Sequence, residues 1–523
     1  MVVLASGAMY YLLGNRHRLS LKGPSTERNH YSITTQGILI YFDNIHHLNT
    51  TGSTRGTFLP LNNIQGDIFV GMKKPIELFY FFQINDANAF KSALQSHIIS
   101  LVTSAATLIG PVSSQPSAFL NIAFSQRGLH ALGINDSLGD SFFSAGQWAD
   151  AEALGDNKAD WDPAFSAGGI DGVMLIASDT QENVDGMLSA VQGYLGESAT
   201  AVKTLQGSAR PGDQAGHEHF GYLDGISNPG VVGFTTNPMP GQSVVPAGII
   251  LTGHTGDTTF RPLWTRDGSF MVFRKLRQYV PEWSQFVVAN AVQNPQGTLN
   301  QSNTASTPAQ TLSIPSGTLT RHQSIALFAA RLIGRWQSGA PVDLAPLSDD
   351  PSLGADPTRN NNFDYSHPGS DISSDQSRCP FSAHIRKTRP RADLGDSDIT
   401  HQAIRAGIPY GSEVGYEEAS RGVTSEDRGM AFVEYQSNIG NGFREQQVVW
   451  GNDPNFPPGK NQTVGLDPLN GLAGNDAPRV TFGTNPFDAS QSYSVPAVVR
   501  SNGGEYFFMP SISALRNTIA AQH

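Results

Sequence analysis

Short apolar segments alternate with amphipathic segments from about residue 59 onward. Aromatic and β-branched residues concentrate in three runs, which predict strands at residues 76–84, 117–124 and 172–178. Apolar residues at helical spacing predict helices at residues 87–104, 128–132 and 184–195. The order strand-helix-strand, found twice, is typical of a ferredoxin-like unit, in which helices cover one face of an antiparallel sheet.

A comparable set of segments follows in the second half of the chain. Strands are predicted at residues 248–251, 269–276 and 428–436, and a helix at residues 320–336. We therefore predict an α+β fold of two ferredoxin-like halves with antiparallel sheets, as domains at residues 59–240 and 241–523. Stretches rich in Pro, Ser and Asn at residues 294–319 and 341–378 are expected to be long surface loops.

The first 58 residues lack this pattern and are predicted to be a poorly ordered leader or propeptide. Residues 2–13 have the length of the apolar core of a secretion signal, but no basic segment precedes them and no clear cleavage site follows. A mis-started reading frame is the alternative. We expect an extracellular protein, with a cytoplasmic location as the other possibility. No run of 18 apolar residues occurs, so no membrane span is predicted.

The composition of the chain disfavours several classes of partner. Lys and Arg total 34 and Asp and Glu total 45, which gives a net charge of −11. Phosphate binding needs clustered Lys and Arg, so this balance disfavours nucleic acid and anionic membranes. Cys379 is the only cysteine in the sequence, so no intramolecular disulfide can form. We interpret Cys379 as a buried structural thiol.

The segment around His384 carries the first candidate chemistry. Apolar residues precede this histidine, and the basic pair Arg386-Lys387 follows it. An imidazole can bind haem iron while neighbouring cations meet the propionates, so the segment suits a buried anionic cofactor such as haem. A lone histidine is also often a hydrogen-bonded core residue, and the residues alone leave this alternative open.

The pattern Gly-x-x-Asp-Gly occurs twice, around Asp171 and around Asp224. Asp-Gly forms turns readily, so the pattern alone indicates structure rather than chemistry. The first copy runs directly into a predicted strand, where Asp171 is interpreted as a turn residue. The second copy follows His217-Glu218-His219-Phe220 and precedes Ile-Ser-Asn-Pro, which makes Asp224 the better candidate acid/base.

A metal-dependent hydrolase is a rival hypothesis, with paired carboxylates or His217 and His219 as ligands. Two histidines separated by one residue arise easily by chance, and no third ligand is evident nearby. The sequence also contains no Gly-x-Ser-x-Gly elbow, P-loop or dinucleotide-binding fingerprint.

Taken together, several stretches resemble the dye-decolorizing peroxidases, and specifically their fungal branch. The resemblance covers roughly residues 59–515 in the same order, and it is carried by residues 220–229, 378–391, 401–411, 435–439 and 450–457. It implies a duplicated ferredoxin-like (dimeric α+β barrel) fold and one non-covalent haem b per chain, held mainly by the C-terminal half. The implied activity is H₂O₂-dependent, one-electron oxidation of bulky aromatic compounds, dyes and phenolics, by a monomer or homodimer.

The resemblance also assigns roles to individual residues. Asp224 matches the family's distal aspartate, His384 its proximal iron ligand, and Arg405 its distal arginine. Arg405 lies in a segment that we interpret as helix-like, ending at residues 407–409. Asp467 resembles the carboxylate that accepts the other N–H of the proximal imidazole, a bond that raises ligand basicity.

Further residues have both a functional and a structural interpretation. Met430 and Phe432 are expected to line the distal pocket, although core packing explains them equally well. Arg386 and Arg391 are expected to pair with the propionates, with a solvated basic run as the alternative. Trp450 and Tyr410 stand where the family's fungal members place surface radical sites, with buried anchoring as the alternative.

A haem-handling or iron-acquisition protein of the same fold, with incidental peroxidase activity, is the alternative function.

Overall fold

We describe a computed structural model of the chain, which describes residues 58–166, 169–292, 319–472 and 478–522. The predicted leader, apart from residue 58, and almost all of the predicted loop at residues 294–319 lie outside the described residues. The described strands are, in chain order, β1 (Ile76–Ile84), β2 (Ala118–Phe124), β3 (Gly172–Ser178), β4 (Ala199–Ser208), β5 (Gly230–Val231), β6 (Val244–Val245), β7 (Ser269–Gln278), β8 (Ile404–Arg405), β9 (Ile408–Tyr410), β10 (Gly429–Gln436), β11 (Arg479–Phe482), β12 (Ser492–Val495) and β13 (Val499–Met509).

The helices flank these strands. The α-helices are α1 (Asp67–Val70), α2 (Ala87–Ala93), α3 (Ala105–Ile109), α4 (Gln126–Ala131), α5 (Ser141–Ala145), α6 (Gln147–Leu154), α7 (Gln181–Leu195), α8 (Ala247–Ile250), α9 (Val280–Ala289), α10 (Arg321–Ile333), α11 (Pro351–Gly354), α12 (His384–Thr388), α13 (Tyr416–Arg421) and α14 (Ile512–Ala514). π-helical turns occur at Leu94–Ile98, Gly440–Gly451 and Leu515–Ile519. The single-turn and longer 3₁₀ helices include Gly395–His401, which precedes β8.

The first four strands form the predicted ferredoxin-like sheet. Strand β1 lies between β3 and β4, and β2 pairs with β3, all antiparallel. Alternation along β1 turns Tyr80 and Phe82 toward the helix-covered core, where Phe90 of α2 and Val184 of α7 pack. Phe79 and Phe81 face the opposite core. The three strands predicted for this half are confirmed, whereas β4 was not predicted.

Strands β7, β9, β10 and β13 close the sheet on itself, whereas β5–β6 and β11–β12 form two separate two-stranded sheets. Strand β4 pairs with β9, β9 with β10, β10 with β7, β7 with β13, and β13 with β2, all antiparallel. The two halves therefore share one closed α+β barrel, whose interior contains Phe79 and Phe81 packed against Phe273. The predicted α+β fold class is confirmed, and the boundary between domains at residue 240 stays a prediction.

Two local predictions are wrong. Residues 248–251 were expected to form a strand, but α8 (Ala247–Ile250) occupies this segment. A four-residue apolar run carries too little periodicity to separate the two states. The segment around Arg405 is not helix-like, because β8 and β9 both pair with β10 there. Long-range strand pairing overrides the local pattern in this segment.

Candidate active site

His384 opens helix α12 and is bonded to a buried carboxylate. Its Nδ1 lies 2.9 Å from Oδ2 and 3.1 Å from Oδ1 of Asp467. The backbone N–H groups of Leu469 and Asn470 each donate to Asp467 Oδ1 at 2.8 Å, which fixes the orientation of the carboxylate. The imidazole is thereby oriented with its Nε2 atom available to a ligand.

Charge strengthens this pairing. Burial is the largest influence on the pKa of His384 and lowers it, but the charge and hydrogen bond of Asp467 outweigh burial, so the pKa is raised. Burial has the opposite effect on Asp467 and raises its pKa. The charge and hydrogen bond of His384, with the two backbone donors, nevertheless leave the pKa of Asp467 below its ordinary value. Asp467 is therefore a charged partner of the ring, as expected from the sequence.

Asp224 and Arg405 form an ion pair, with Arg405 Nη1 at 2.9 Å from Asp224 Oδ1. The same Oδ1 accepts the backbone N–H of Gly225. Among the hydrogen bonds of the described residues, Asp224 Oδ2 accepts none. Burial raises the pKa of Asp224, but the charge of Arg405 and the Gly225 bond reverse the effect, so the pKa lies below its usual value. Asp224 is an ionised carboxylate with one free oxygen.

Asn228 joins the segment that carries Asp224 to the strand that carries Arg405. Its Nδ2 donates to the carbonyl of Arg405 at 2.8 Å, and its Oδ1 accepts the backbone N–H of Arg405 at 3.1 Å. One side-chain amide thus satisfies both backbone groups of a residue on the short strand β8. The two halves of the ion pair are held in register by this contact.

His384, Asp224 and Arg405 act on one another electrostatically and form the candidate site, and each side chain remains partly accessible. Their side chains keep 28%, 37% and 33% of their surface accessible. Burial is nevertheless the largest influence on the pKa of both His384 and Asp224, so these accessible groups are surrounded by protein. The charge of Arg405 lowers both of these pKa values, which places the three groups within electrostatic reach of one another.

Two further arginines, Arg335 and Arg391, add positive charge near Arg405. Arg335 donates to the carbonyls of Gly339 and Asn360, and burial with the charge of Arg391 lowers its pKa to about 9. Arg391 donates to main-chain oxygens of residues 361 and 363, and its Nε–H is buried without a hydrogen-bond partner. In the described residues, neither arginine has an ion-pair partner. This uncompensated charge fits the carboxylates of an anionic ligand.

Arg386, in contrast, is committed to the protein. Its guanidinium makes two bonds to Asp393, at 2.7 and 2.9 Å, and a third to the carbonyl of Cys379 at 2.8 Å. The ring of Tyr365 lies 4.5 Å from this guanidinium. These contacts correct one alternative from the sequence, since Arg386 is buried and not part of a solvated basic run. They favour a structural role for Arg386.

Strand β10 contributes an apolar wall. Met430 and Phe432 are half-buried on one face of the strand, and the aromatic ring of Phe432 lies 6.3 Å from that of Phe443. Glu434 follows on the same face and is buried opposite Arg405 in the β8–β10 pairing. The expected placement of Met430 and Phe432 beside the distal residues is compatible with this register.

Trp450 and Tyr410 are both buried. The indole of Trp450 stacks on Phe456 at 5.1 Å and meets the ring edge of His401 at 5.3 Å. A pocket of about 590 Å³ is lined by these three side chains and opens beside them. Tyr410 donates its hydroxyl to Asp427 at 3.1 Å, and its pKa is raised, mainly by burial. Trp450 therefore borders a ligand-sized space, and Tyr410 is anchored in the core.

The other motifs from the sequence have structural partners. Asp171 accepts the backbone N–H of Ile84 at 2.7 Å and pairs with Arg127 at 3.1 Å, as expected of a turn residue. His219 is bonded to the carbonyl of Tyr410 at 2.9 Å. The part of the chain that the structure describes contains no group of three or more His, Cys, Asp or Glu side chains able to hold a metal. A metal-dependent hydrolase is not supported.

The thiol of Cys379 is buried, and burial raises its pKa to about 12. An un-ionised thiol is a poor nucleophile, in agreement with the structural interpretation. None of the described helices has the length and apolar composition needed to cross a bilayer.

Sequence reasoning missed Arg335, Asn228 and Glu434. Arg335 follows helix α10 and belongs to no recognisable motif. Asn228 precedes Pro229, so the local pattern indicates a turn rather than a contact to a distant strand. Glu434 was hidden within a predicted strand. The alternation of that strand was the one available signal, since it places Glu434 on the same face as Met430 and Phe432.

Comparison with known proteins gives consistent matches. Residues 63–211 match the family described as DyP dimeric alpha+beta barrel domain. The chain is 47% identical over 473 residues to a dye-decolorizing peroxidase of Auricularia auricula-judae, with 89% of this chain and 88% of the relative covered. It is 48% identical over 478 residues to Peroxidase 2 of Mycetinis scorodonius, with 88% of each chain covered.

Solved structures give the same result. A dye-decolorizing peroxidase in complex with 2,6-dimethoxyphenol is 52% identical and has a TM-score of 0.82, with 89% of this chain and 100% of that chain covered. The crystal structure of the Auricularia auricula-judae protein is 46% identical, also with a TM-score of 0.82, and covers 88% of this chain and 100% of its own.

Proposed function

The chain belongs to the fungal dye-decolorizing peroxidases, and we propose that it performs their reaction with one non-covalently bound haem b whose iron is held by His384. It is an oxidoreductase that uses H₂O₂ and oxidises dyes and phenolic compounds. A haem-handling protein with incidental activity is the weaker alternative, because such a protein would not need the ion pair formed by Asp224 and Arg405.

The residues present fit a haem. Its iron needs a nitrogen ligand, and a ring oriented by a carboxylate is the usual proximal arrangement in peroxidases. Its propionates need cations, and Arg391 has a buried N–H without a partner beside the uncompensated charge of Arg335. Met430 and Phe432 would contact the porphyrin. We place Arg391 and Arg335 at the propionates, and Arg386 behind them as support.

The observation that carries the proposal is the free oxygen of Asp224 next to a bound guanidinium, within electrostatic reach of His384. When bound, the haem iron supplies the electrons that reduce peroxide and passes oxidising equivalents to the aromatic substrate. Asp224 Oδ2 accepts a proton from one peroxide oxygen and returns it to the other, the leaving oxygen. The N–H groups of Arg405 that are not bonded to Asp224 orient the peroxide and stabilise the negative charge of the leaving oxygen.

Bulky reductants require a second contact point. We propose that the pocket beside Trp450 receives them and that the indole relays single electrons from them. The stacking of Trp450 on Phe456 and the volume of the pocket, about 590 Å³, support this role. We propose no electron relay through Tyr410, whose hydroxyl is held by Asp427 in the core.

The test of the function is peroxide-dependent oxidation of 2,6-dimethoxyphenol by the haem-loaded enzyme. We expect turnover in wild type and a loss of about 10²–10⁴-fold in Asp224→Asn, with haem retained. Asp171→Asn is the matched control, because Asp171 belongs to the other copy of Gly-x-x-Asp-Gly and pairs with Arg127 rather than with Arg405. Turnover of this variant should stay close to wild type. A wild type without turnover, or an Asp224→Asn variant as active as wild type, contradicts the proposal.

Two properties stay proposals without support from the fold. We propose an extracellular location, which the N-terminal sequence of protein from culture medium tests. The solution state, monomer or homodimer, is tested by light scattering of the purified protein.

A further inference from the structure

Glu434 is a second carboxyl group beside the distal arginine. It pairs directly with Arg405 across the antiparallel β8–β10 contact. Directly opposed residues of two neighbouring strands project from the same face of a sheet, with their Cβ atoms about 5 Å apart. The carboxyl of Glu434 therefore lies on the face from which the Arg405 guanidinium reaches Asp224.

The carboxyl of Glu434 is buried with little compensation. The side chain is 1% exposed, and Oε1 accepts one bond, from Gln446 Nε2 at 3.3 Å. Within the described ranges, no Lys or Arg lies at ion-pair distance from it. Glu418 shows what a compensated buried glutamate looks like in this fold, because both of its oxygens pair with Arg428, at 2.7 and 2.5 Å.

The cations on neighbouring elements are already engaged. Arg274 of strand β7 pairs with Asp156 at 2.6 Å, and Arg444 of the π-helix pairs with Asp150 at 3.1 Å. Lys275 of β7 is likewise engaged, with Asp427 at 2.6 Å. Helix α8 carries no titratable side chain. The other titratable side chains on the elements around Glu434 are Arg277 on β7, Tyr410 on β9, Glu445 on the π-helix, and Asp396, Asp398 and His401 on the helix Gly395–His401. Arg405 is the cation that acts on the Glu434 carboxyl.

We propose that Glu434 is a positioning residue for Arg405. A neutral Glu434 leaves the guanidinium with Asp224, and an ionised Glu434 draws the guanidinium away from Asp224. The proposal rests on the proposed roles of Asp224 and Arg405, and it makes the distal site dependent on pH at its alkaline side.

The protonation behaviour of Glu434 supports this role. Burial raises the pKa of Glu434 to about 7, against the weaker lowering effects of Arg405 and Gln446. The carboxyl is therefore neutral under acidic conditions and becomes charged as the pH rises through about 7. An ionised carboxylate opposite Arg405 competes with Asp224 for the same guanidinium. The peroxide then loses its cation, and Asp224 loses the charge that lowers its pKa.

The test compares pH profiles of haem-loaded wild type and Glu434→Gln, with 2,6-dimethoxyphenol as the reductant. If the neutral form alone is active, the rate of wild type at pH 8 falls to about one-tenth of the rate at pH 5. In Glu434→Gln this titration is absent, so the ratio of the two rates rises about tenfold. Glu434→Asp keeps a titrating carboxyl and should keep the fall.

A control variant and a second measurement distinguish the proposed role of Glu434 from a general effect of removing one negative charge. Glu417→Gln removes one charge from a side chain that is 86% exposed and should keep the ratio of wild type. The absorption spectrum of the resting holoenzyme should show a transition near pH 7 in wild type and none in Glu434→Gln. An equal rate ratio in wild type and Glu434→Gln, with active enzyme in both, overturns the proposal and leaves the proposed function intact.

A second variant covers failure of Glu434→Gln to fold or to retain haem. Gln446→Leu removes the hydrogen bond that favours the ionised carboxyl, so the alkaline transition should move to higher pH. An unmoved transition in Gln446→Leu overturns the proposal. A wild type that oxidises nothing at any pH contradicts the proposed function instead, and the inference with it.

Discussion

The amide of Asn228 makes two hydrogen bonds to the backbone of Arg405, one to its carbonyl at 2.8 Å and one from its N–H at 3.1 Å. The segment that carries Asp224 is thereby fastened to the strand that carries Arg405. The carboxylate and the guanidinium come from distant parts of the chain, so their relative position depends on contacts of this kind.

Replacement of Asn228 by alanine should loosen the distal pair. Each lost buried hydrogen bond is worth about 1 kcal/mol, and imprecise placement of Arg405 should slow the reaction with peroxide about tenfold. Rapid-mixing measurement of the haem absorbance change with peroxide gives this rate. Asn290→Ala, which removes an amide bonded to the carbonyl of Phe286, is the control. Equal rates in Asn228→Ala and wild type would contradict the positioning role.

Asp467→Asn should weaken the hold on the cofactor. The neutral amide removes the charge that orients and polarises His384, and loss of such a partner costs about 10–100-fold in affinity or activity. Haem titration of the apoprotein measures the affinity. The chain offers a matched control in Asp267, which pairs with His254 at 2.6 Å and whose pKa depends on burial and on neighbours outside the candidate site. A haem affinity as high in Asp467→Asn as in Asp267→Asn would rule out this role.

The acidic limb of the pH profile should belong to Asp224. Because Arg405 lowers the pKa of Asp224 below its ordinary value of 3.8, the base stays ionised under acidic conditions, and activity is lost only as the pH falls through the lowered pKa. Arg405→Leu removes this influence, so the acidic limb should move to higher pH in addition to a lower maximal rate. The profile of dye oxidation from acid to neutral pH checks the shift. An acidic limb at the same pH in Arg405→Leu and wild type would show that Asp224 is not the group that titrates there.

Stability in acid should depend on Glu418. The pKa of Glu418 is lowered from 4.5 to about 2, chiefly by its hydrogen bond with Arg428, and the side chain is buried. Because the folded pKa is depressed, the stabilisation is present above about pH 4.5 and is lost as the pH falls through about 2. Glu418→Gln should reduce the free energy of unfolding on the order of 3 kcal/mol at pH 6, since it leaves Arg428 buried without its partner.

Denaturant titrations at pH 6 and at pH 3 test this expectation, with the exposed Glu417→Gln as the control. The deficit of Glu418→Gln relative to wild type should shrink at the lower pH. A deficit that is the same at both values would show that the ion pair does not set the acid stability.

Trp450 and Tyr410 should differ in their effect on large substrates. Trp450→Phe keeps the stacking on Phe456 but removes the easily oxidised indole, so oxidation of bulky dyes should fall more than tenfold while 2,6-dimethoxyphenol still reacts. Tyr410→Phe removes the bond to Asp427 and should leave both activities close to wild type. Steady-state rates on the two substrates give the ratio. A selective loss in Tyr410→Phe would reverse the assignment.

Strands β1, β2 and β3 were predictable because they are mostly apolar, with aromatic residues in β1 and β2. Strand β4 was missed because polar residues such as Thr200, Lys203 and Gln206 interrupt it. Strand β13 was missed because Gly503 and Gly504 interrupt it, and its register shifts at this point. Closure of the barrel depends on pairings such as Phe508 with Phe124, which no local pattern contains. The closure of the barrel therefore depends on packing between distant segments, which the periodicity of the sequence does not predict.

The residues of the candidate site likewise include some that the sequence predicts and some that it does not. Asp224 could be preferred over Asp171 from its flanking residues, and the structure gives Asp171 the contacts of a turn. Arg335 could not be found, because its importance comes from the lack of an ion-pair partner among the described residues, which is visible only in three dimensions. For Glu434, the alternation along β10 was the one signal in the sequence. Arg386 is the opposite case, because its position near His384 in the sequence suggests a cofactor contact, but the structure pairs it with Asp393.

The absorption spectrum of the purified protein, reconstituted with haem, tests the central claim most directly. Wild type should show an intense haem band that changes on addition of one equivalent of H₂O₂, and His384→Ala should lose the band or shift it to that of unligated haem. His254→Ala, at the His254–Asp267 pair outside the candidate site, should keep the spectrum of wild type. A haem band that is the same in wild type and His384→Ala would contradict the account.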